Sequence, residues 1–148
     1  MTSAKIGIGI LSFAHGHVNA YARMIHGFDD AQLVACWDHD VARGEAGAER
    51  YEIPFVPHLG DILARKDIDV FMIASETNRH ADLAVATMEA GKPVLLQKPM
   101  ATTLAGCDRI IETVERTGQW FSMAFQMRCD PQNIAMKKLM EGGAVGRV

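Results

Sequence analysis

Cysteine is scarce and scattered in this chain. Cys36, Cys107 and Cys129 are odd in number and form no C-x-x-C pair, which argues against a disulfide framework and against a structural zinc site. Positive charge is not in excess. Fifteen Lys and Arg stand against 18 Asp and Glu, and a net charge of -3 gives no basic face for nucleic acid. Long apolar runs are also missing. The six apolar or glycine residues that follow Met1-Thr2-Ser3-Ala4-Lys5 are too few for the apolar region of a signal peptide. No later stretch approaches a membrane span, and there is no repeat or low-complexity tract. These absences predict a protein of a reducing, cytoplasmic setting, with neither membrane nor nucleic acid as partner.

What is present suits one soluble domain. The 148 residues are 49% hydrophobic and 22% charged, enough to bury a core without staples. Short continuous apolar runs alternate with segments of helical period, as expected of strands buried on both faces of a parallel sheet. Strands are predicted over Lys5–Leu11, Gln32–Trp37, Asp69–Ala74, Pro93–Gln97 and Trp120–Phe125, with a short edge piece at Pro54–Pro57. The first helix is marked by Val18, Tyr21, Met24, Ile25 and Phe28. Others follow over Val41–Tyr51 (despite two glycines), around Leu59–Leu63, and over Arg79–Ala90 before Gly91. A further helix runs between Thr103 and Thr117, closed by Gly118. Pro131 opens a last one with Ile134, Leu139 and Met140 on its apolar side and Gly142-Gly143 at its end. The predicted fold is a doubly wound parallel sheet, Rossmann-like, in three α/β/α layers.

Ligands of such sheets collect at the carboxyl ends of the strands. The turn Ser12-Phe13-Ala14-His15-Gly16-His17 lies where a dinucleotide-binding turn would, with Ser12 and Ala14 standing at the first two glycine positions. Its plain alternative is an ordinary strand-to-helix turn. His15 and His17 lack a nearby third ligand, so no metal site is predicted, and His15 could instead donate to a phosphate. Asp38 ends the second strand about 20 residues past the turn, where NAD sites hold the ribose hydroxyls. Its alternative is a helix cap, a role that Asp40 fits better. His39 and Arg43 lie near enough to keep NADP open.

Ser75, Glu76, Thr77 and Asn78 end the third long strand on the same edge, though capping of the next helix also explains Thr77 or Asn78. His80 opens that helix, either packed or reaching a cofactor. Gln97 and Lys98 end the Pro93 strand, and Pro99 stops it. Lys98 is either a surface lysine or a donor aimed at a bound molecule. Arg128 either serves an anionic substrate or pairs with Asp130.

Taken together these pieces resemble the N-terminal domain of the glucose–fructose oxidoreductase / inositol dehydrogenase / MocA family. The resemblance covers nearly the whole chain. It is most specific from Asn78-Arg79-His80-Ala81 through Glu89-Ala90-Gly91-Lys92-Pro93 to Gln97-Lys98-Pro99, where the family has Glu in place of Gln97. It implies NAD(P)-dependent hydride transfer at a sugar, inositol or related polyol, with Lys98 beside the nicotinamide and hydrogen-bonded to the reacting oxygen. It places the cofactor against Ser12, Phe13, Ala14, His15, Asp38, His39, Ser75, Glu76, Thr77, His80, Gln97 and Lys98. It also implies residues 1–126 as the dinucleotide domain. Residues 127–148 would then be the crossover into a second domain that supplies the substrate pocket, an acid–base pair and the oligomer contacts. The alternative is a dinucleotide-binding regulatory or sensor module that does no chemistry.

Overall fold

The computed structural model describes residues 5–147. The sequence reading of residues 1–4, and the last position of the closing Gly142–Val148 stretch, lie outside the described residues. Five parallel strands make one sheet in the order β2-β1-β3-β4-β5: β1 Ile6–Leu11, β2 Ala31–Trp37, β3 Val70–Ile73, β4 Val94–Leu96 and β5 Phe121–Met123. The apolar runs form parallel strands because helices cover the sheet from both sides. The α1 helix (Val18–His26) and α2 (Val41–Tyr51) lie on one face. There Val18, Ala22, Ile25 and Tyr51 pack with Ile10, Met72 and Ala74. On the other face lie α3 (Leu59–Leu63), α4 (His80–Glu89) and α5 (Leu104–Thr117). Ile62, Leu83, Ala84, Met88 and Ile110 meet Leu11, Phe71, Ile73, Val94 and Leu96 there. The doubly wound three-layer architecture is as predicted.

The edge piece at Pro54–Pro57 lies, as expected, beside the edge strand β2, though it pairs too briefly to form a strand. It makes one isolated bridge, Cys36 to Phe55, with Cys36 N–H donating to Pro54 O and Val56 N–H to Cys36 O. Prolines on both sides remove the donors that would extend the pairing. The expected glycine weakness of α2 is offset by packing. Gly44 and Gly47 are buried, and a Cβ at either would overlap the ring of Phe55 or Phe13 respectively. These two glycines let aromatic rings lie against the helix backbone.

A sixth helix, α6 (Pro131–Glu141), follows a short 3-10 turn over Gln126–Arg128. Pro131 sits in its first turn and Asp130 caps it, accepting from Gln132 N–H at 2.8 Å. The apolar side expected of it is present but uncovered, since Ile134, Leu139 and Met140 are all exposed. A second uncovered apolar area is a groove at the amino ends of the central strands, lined by Ile6, Ile8, Val70, Met72, Leu95 and Trp120. No described helix is long and apolar enough to cross a membrane.

Candidate functional site

Parallel register brings the site together. Leu11 is level with Trp37 and Ile73, Ile73 with Leu96, and Leu96 with Met123. The residues just past these positions therefore share one edge: Ser12, Asp38, Ala74-Ser75 and Gln97. Chain direction along the sheet reverses between β1 and β3, so the turn after β1 and the loop after β3 flank the crevice where ligands of such sheets bind.

Ser12 has φ of +75°, a conformation natural to glycine. The reading of Ser12 as a stand-in for the first glycine thus has a backbone basis. Its buried Oγ accepts from Ala14 N–H at 3.2 Å, and its own N–H donates to Trp37 O. Phe13 stacks its ring on Tyr51, with centroids 5.9 Å apart, and its N–H donates to Asp38. His15 N–H donates to Ala74 O at 2.9 Å, which ties the turn to β3. The His15 and His17 rings lie 4.7 Å apart. Burial, with help from His17, Lys98 and His80, lowers the pKa of His15. No group of three His, Cys, Asp or Glu side chains among the described residues is placed to hold a metal.

Asp38 is fully buried at its carboxylate and bonded on both oxygens. Oδ2 accepts from Phe13 N–H at 2.9 Å and Arg43 Nε at 2.8 Å. Oδ1 accepts from Asp40 N–H at 3.0 Å and Arg43 Nη2 at 2.7 Å. Burial pushes this carboxyl up, but the Arg43 guanidinium and the two amides outweigh it and hold it below the ordinary carboxylate value. The same bond raises Arg43. Asp40 is the cap of α2, accepting from Arg43 N–H, as its position suggested. From the loop after β3, Glu76 reaches across the crevice to Arg43 Nη1 at 3.0 Å and His39 Nε2 at 3.6 Å.

Thr77 and Asn78 do not cap α4. A 3-10 turn over Thr77–Arg79 leads into it, and the capping residue Arg79 makes no side-chain bond there. His80 is packed, fully buried, with Nδ1 2.8 Å from Pro99 O and Nε2 3.1 Å from Ser75 O. A carbonyl only accepts, so a neutral ring donates to one of the two and an imidazolium to both. His80 thereby joins the loop after β3 to the end of β4. Nothing in its sequence position signalled that bridging role.

Gln97 is almost wholly buried. Its Oε1 accepts from Lys98 N–H at 2.8 Å, and its Nε2 lies 3.1 Å from His17 Nδ1. Lys98 is half-buried, makes no ion pair among the described residues, and is close enough for its charge to weigh on His15. Arg128 does not pair with Asp130. Its guanidinium lies over the Phe125 ring at 5.6 Å, while Asp130 is engaged as the cap of α6.

The edge fits a dinucleotide. The α1 helix begins just past the turn with no acidic residue in its first turn and no side-chain cap, so no negative side chain there opposes an anion. A side chain at Gly16 would meet nothing within 4 Å, so the turn is open on that side. Glu76 Oε2 is buried without a hydrogen-bond partner among the described residues, with Arg79 Nε 4.0 Å away.

Comparison with known proteins agrees. Residues 3–125 match the oxidoreductase family with the NAD-binding Rossmann fold. An inositol 2-dehydrogenase of Acidothermus cellulolyticus is 33% identical over 147 residues, which cover 97% of this chain and 42% of that protein. An inositol 2-dehydrogenase of Salmonella typhimurium is 30% identical over 145 residues, covering 96% of this chain and 42% of that protein. The WlbA dehydrogenase of Chromobacterium violaceum, solved with NADH and UDP-GlcNAcA, superposes with a TM-score of 0.85 at 25% identity, covering 99% of this chain and 43% of that one. The chain thus spans about 42% of the length of the curated relatives it matches. It belongs to the glucose–fructose oxidoreductase / inositol dehydrogenase / MocA family, of which residues 3–125 are the NAD-binding Rossmann domain.

Proposed function

We propose that this chain is the cofactor-binding part of an NAD-dependent dehydrogenase that moves a hydride to or from a CH–OH carbon of an inositol, sugar or related polyol. The observation that carries this reading is the placement of Lys98. It lies two residues past the end of β4, beside the turn after β1, and makes no ion pair among the described residues. Its amide is held by Gln97, which in turn meets His17 across the crevice. Binding alone does not require a cation at that place, which favours an enzyme over a sensor. The dehydrogenase names of the relatives point the same way.

In this reading the pyrophosphate lies on the turn Ser12–His17 at the start of α1. The adenosine half lies between Asp38-His39 and the loop of Ser75, Glu76 and Thr77. The nicotinamide end lies against Gln97, Lys98 and the backbone fixed by His80. When bound, the dinucleotide supplies the hydride acceptor or donor. Lys98 holds the substrate oxygen and favours it as alkoxide character develops. The helix α6 and residues 127–148 serve as the crossover to a substrate domain, through which the longer protein would assemble. Support for that part is the uncovered apolar side of α6 together with the greater length of the relatives.

Calorimetric titration of the chain with NAD, NADH, NADP and NADPH tests the reading. Saturable binding that prefers the NAD pair is the expected result, followed by NAD-linked oxidation of myo-inositol or a sugar by the longer protein. No binding of any of the four by a folded sample of either length would overturn it.

A further inference from the structure

Counted from Ser12, the pattern G-x-G-x-x-G puts its third glycine at position 17, where this chain has histidine. The residue that opens α1 therefore carries a side chain. Its backbone N–H donates to His15 Nδ1 at 3.3 Å, and the two rings lie 4.7 Å apart. The His17 ring reaches across to the end of β4, where its Nδ1 lies 3.1 Å from Gln97 Nε2. The amide nitrogen of Gln126 comes within 3.4 Å of the same atom.

The backbone decides the direction of the bond to Gln97. The N–H of Lys98 can only donate, so the Gln97 atom 2.8 Å from it is the oxygen, and the amide nitrogen faces His17. That nitrogen also only donates. His17 Nδ1 is therefore the acceptor, and the ring carries its proton on Nε2. The second N–H of Gln97 has the hydroxyl of Tyr21, 3.5 Å away and one turn along α1 from His17. A neutral imidazole has one nitrogen free to accept, and here it is spent on Gln97. His17 takes no proton from a substrate while that bond lasts, so its part is not acid–base.

We propose that His17 is a positioning residue of the reaction, holding the Gln97 amide in the one orientation that keeps Oε1 on the N–H of Lys98. This rests on the dehydrogenase reading of the site. Without an acceptor at position 17, nothing on that side opposes a turn of the amide. A turned amide would set NH2 against the N–H of Lys98, donor against donor, in a buried place. The backbone of Lys98 would then lose the tie that places its ammonium. His17 acts on the lysine through Gln97 alone.

The test has two arms. Nitrogen NMR of the histidine rings in the 148-residue chain, at mildly alkaline pH and assigned with His17→Ala, should show His17 with Nδ1 bare and Nε2 protonated. Gln97→Glu offers only acceptor oxygens to the ring and should put a proton on Nδ1. In the longer protein, His17→Ala should lower kcat about tenfold with the NAD dissociation constant changed by less than about threefold. His17→Asn, whose Oδ1 can stand in for Nδ1, should recover most of that kcat, with circular dichroism checking that each variant is folded. A proton on Nδ1 in the wild type, or an unchanged kcat in a folded His17→Ala, overturns the proposal and leaves the dinucleotide site standing. A folded chain that shows the expected tautomer yet binds no dinucleotide overturns the reading of the site, and with it any catalytic use of the bond.

Discussion

Gln97 and His17 meet at 3.1 Å, side-chain amide to imidazole, across 80 positions of sequence. The contact joins the end of β4 to the turn after β1, and the other end of the Gln97 amide holds the backbone N–H of Lys98. One buried side chain thus fixes the distance between the turn and the lysine.

Replacing Gln97 by Ala leaves that N–H without its acceptor inside the protein, a loss of about 1–3 kcal/mol. Urea unfolding should register it as a lower midpoint at unchanged slope. A midpoint equal to wild type would mean that water takes over both bonds and that Gln97 does not tie the edge together.

Lys98→Ala in the longer protein should lower kcat by about 100-fold or more, the scale of a lost electrostatic contact to a developing oxyanion. NAD affinity, read by calorimetry, should change by less than about threefold if the ammonium serves the reacting oxygen and not the cofactor. Equal losses in both quantities would remove Lys98 from the chemistry.

Asp38 links stability to acidity. Its folded pKa lies below the ordinary value, so the stabilisation it gives is fully present above the unfolded pKa of about 3.9 and is lost as pH falls through the folded pKa. Melting temperature should therefore fall more steeply with acid in the wild type than in Asp38→Asn. At neutral pH the Asn variant should be less stable by about 2 kcal/mol, because the bonds it loses are to a charged group. Parallel melting curves from pH 6 down to acid unfolding would contradict this assignment.

The three thiols should separate by reactivity. Cys36 is buried, and burial, aided by Asp38, pushes its pKa up to about 12, whereas Cys129 is exposed and Cys107 half-buried. An aromatic disulfide reagent at pH 8 should label Cys129 first and Cys36 only at the rate of unfolding. Fast labelling of all three in a sample with native circular dichroism would show that the β2–α2 layer opens readily.

Most of the sheet was legible in the sequence because parallel strands announce themselves as short unbroken apolar runs between helices. KIGIGIL and DVFMIA had little else to be. The Pro54–Pro57 piece could be placed at a sheet edge from its prolines, which also deny it the donors that would extend its one bridge into a strand. Within the site, Ser12, Asp38 and Gln97 could be named because each ends a recognisable strand. The grip of Glu76 on Arg43 could not. Those residues lie 33 positions apart and meet only because parallel register sets the ends of β1, β2 and β3 level. His80 was ambiguous for a similar reason, since both carbonyls it faces belong to loops whose paths the sequence does not state.

The rings of Phe13 and Phe55 lying against Gly47 and Gly44 constrain how this protein can drift over generations. Alanine at position 47 would raise helix propensity by about 1 kcal/mol, yet it is blocked while Phe13 keeps its place. The aromatic must shrink first, and each such step passes through a chain with a hole beside its nucleotide turn. Helix α2 is therefore held to its weak composition by the order in which its neighbours can change.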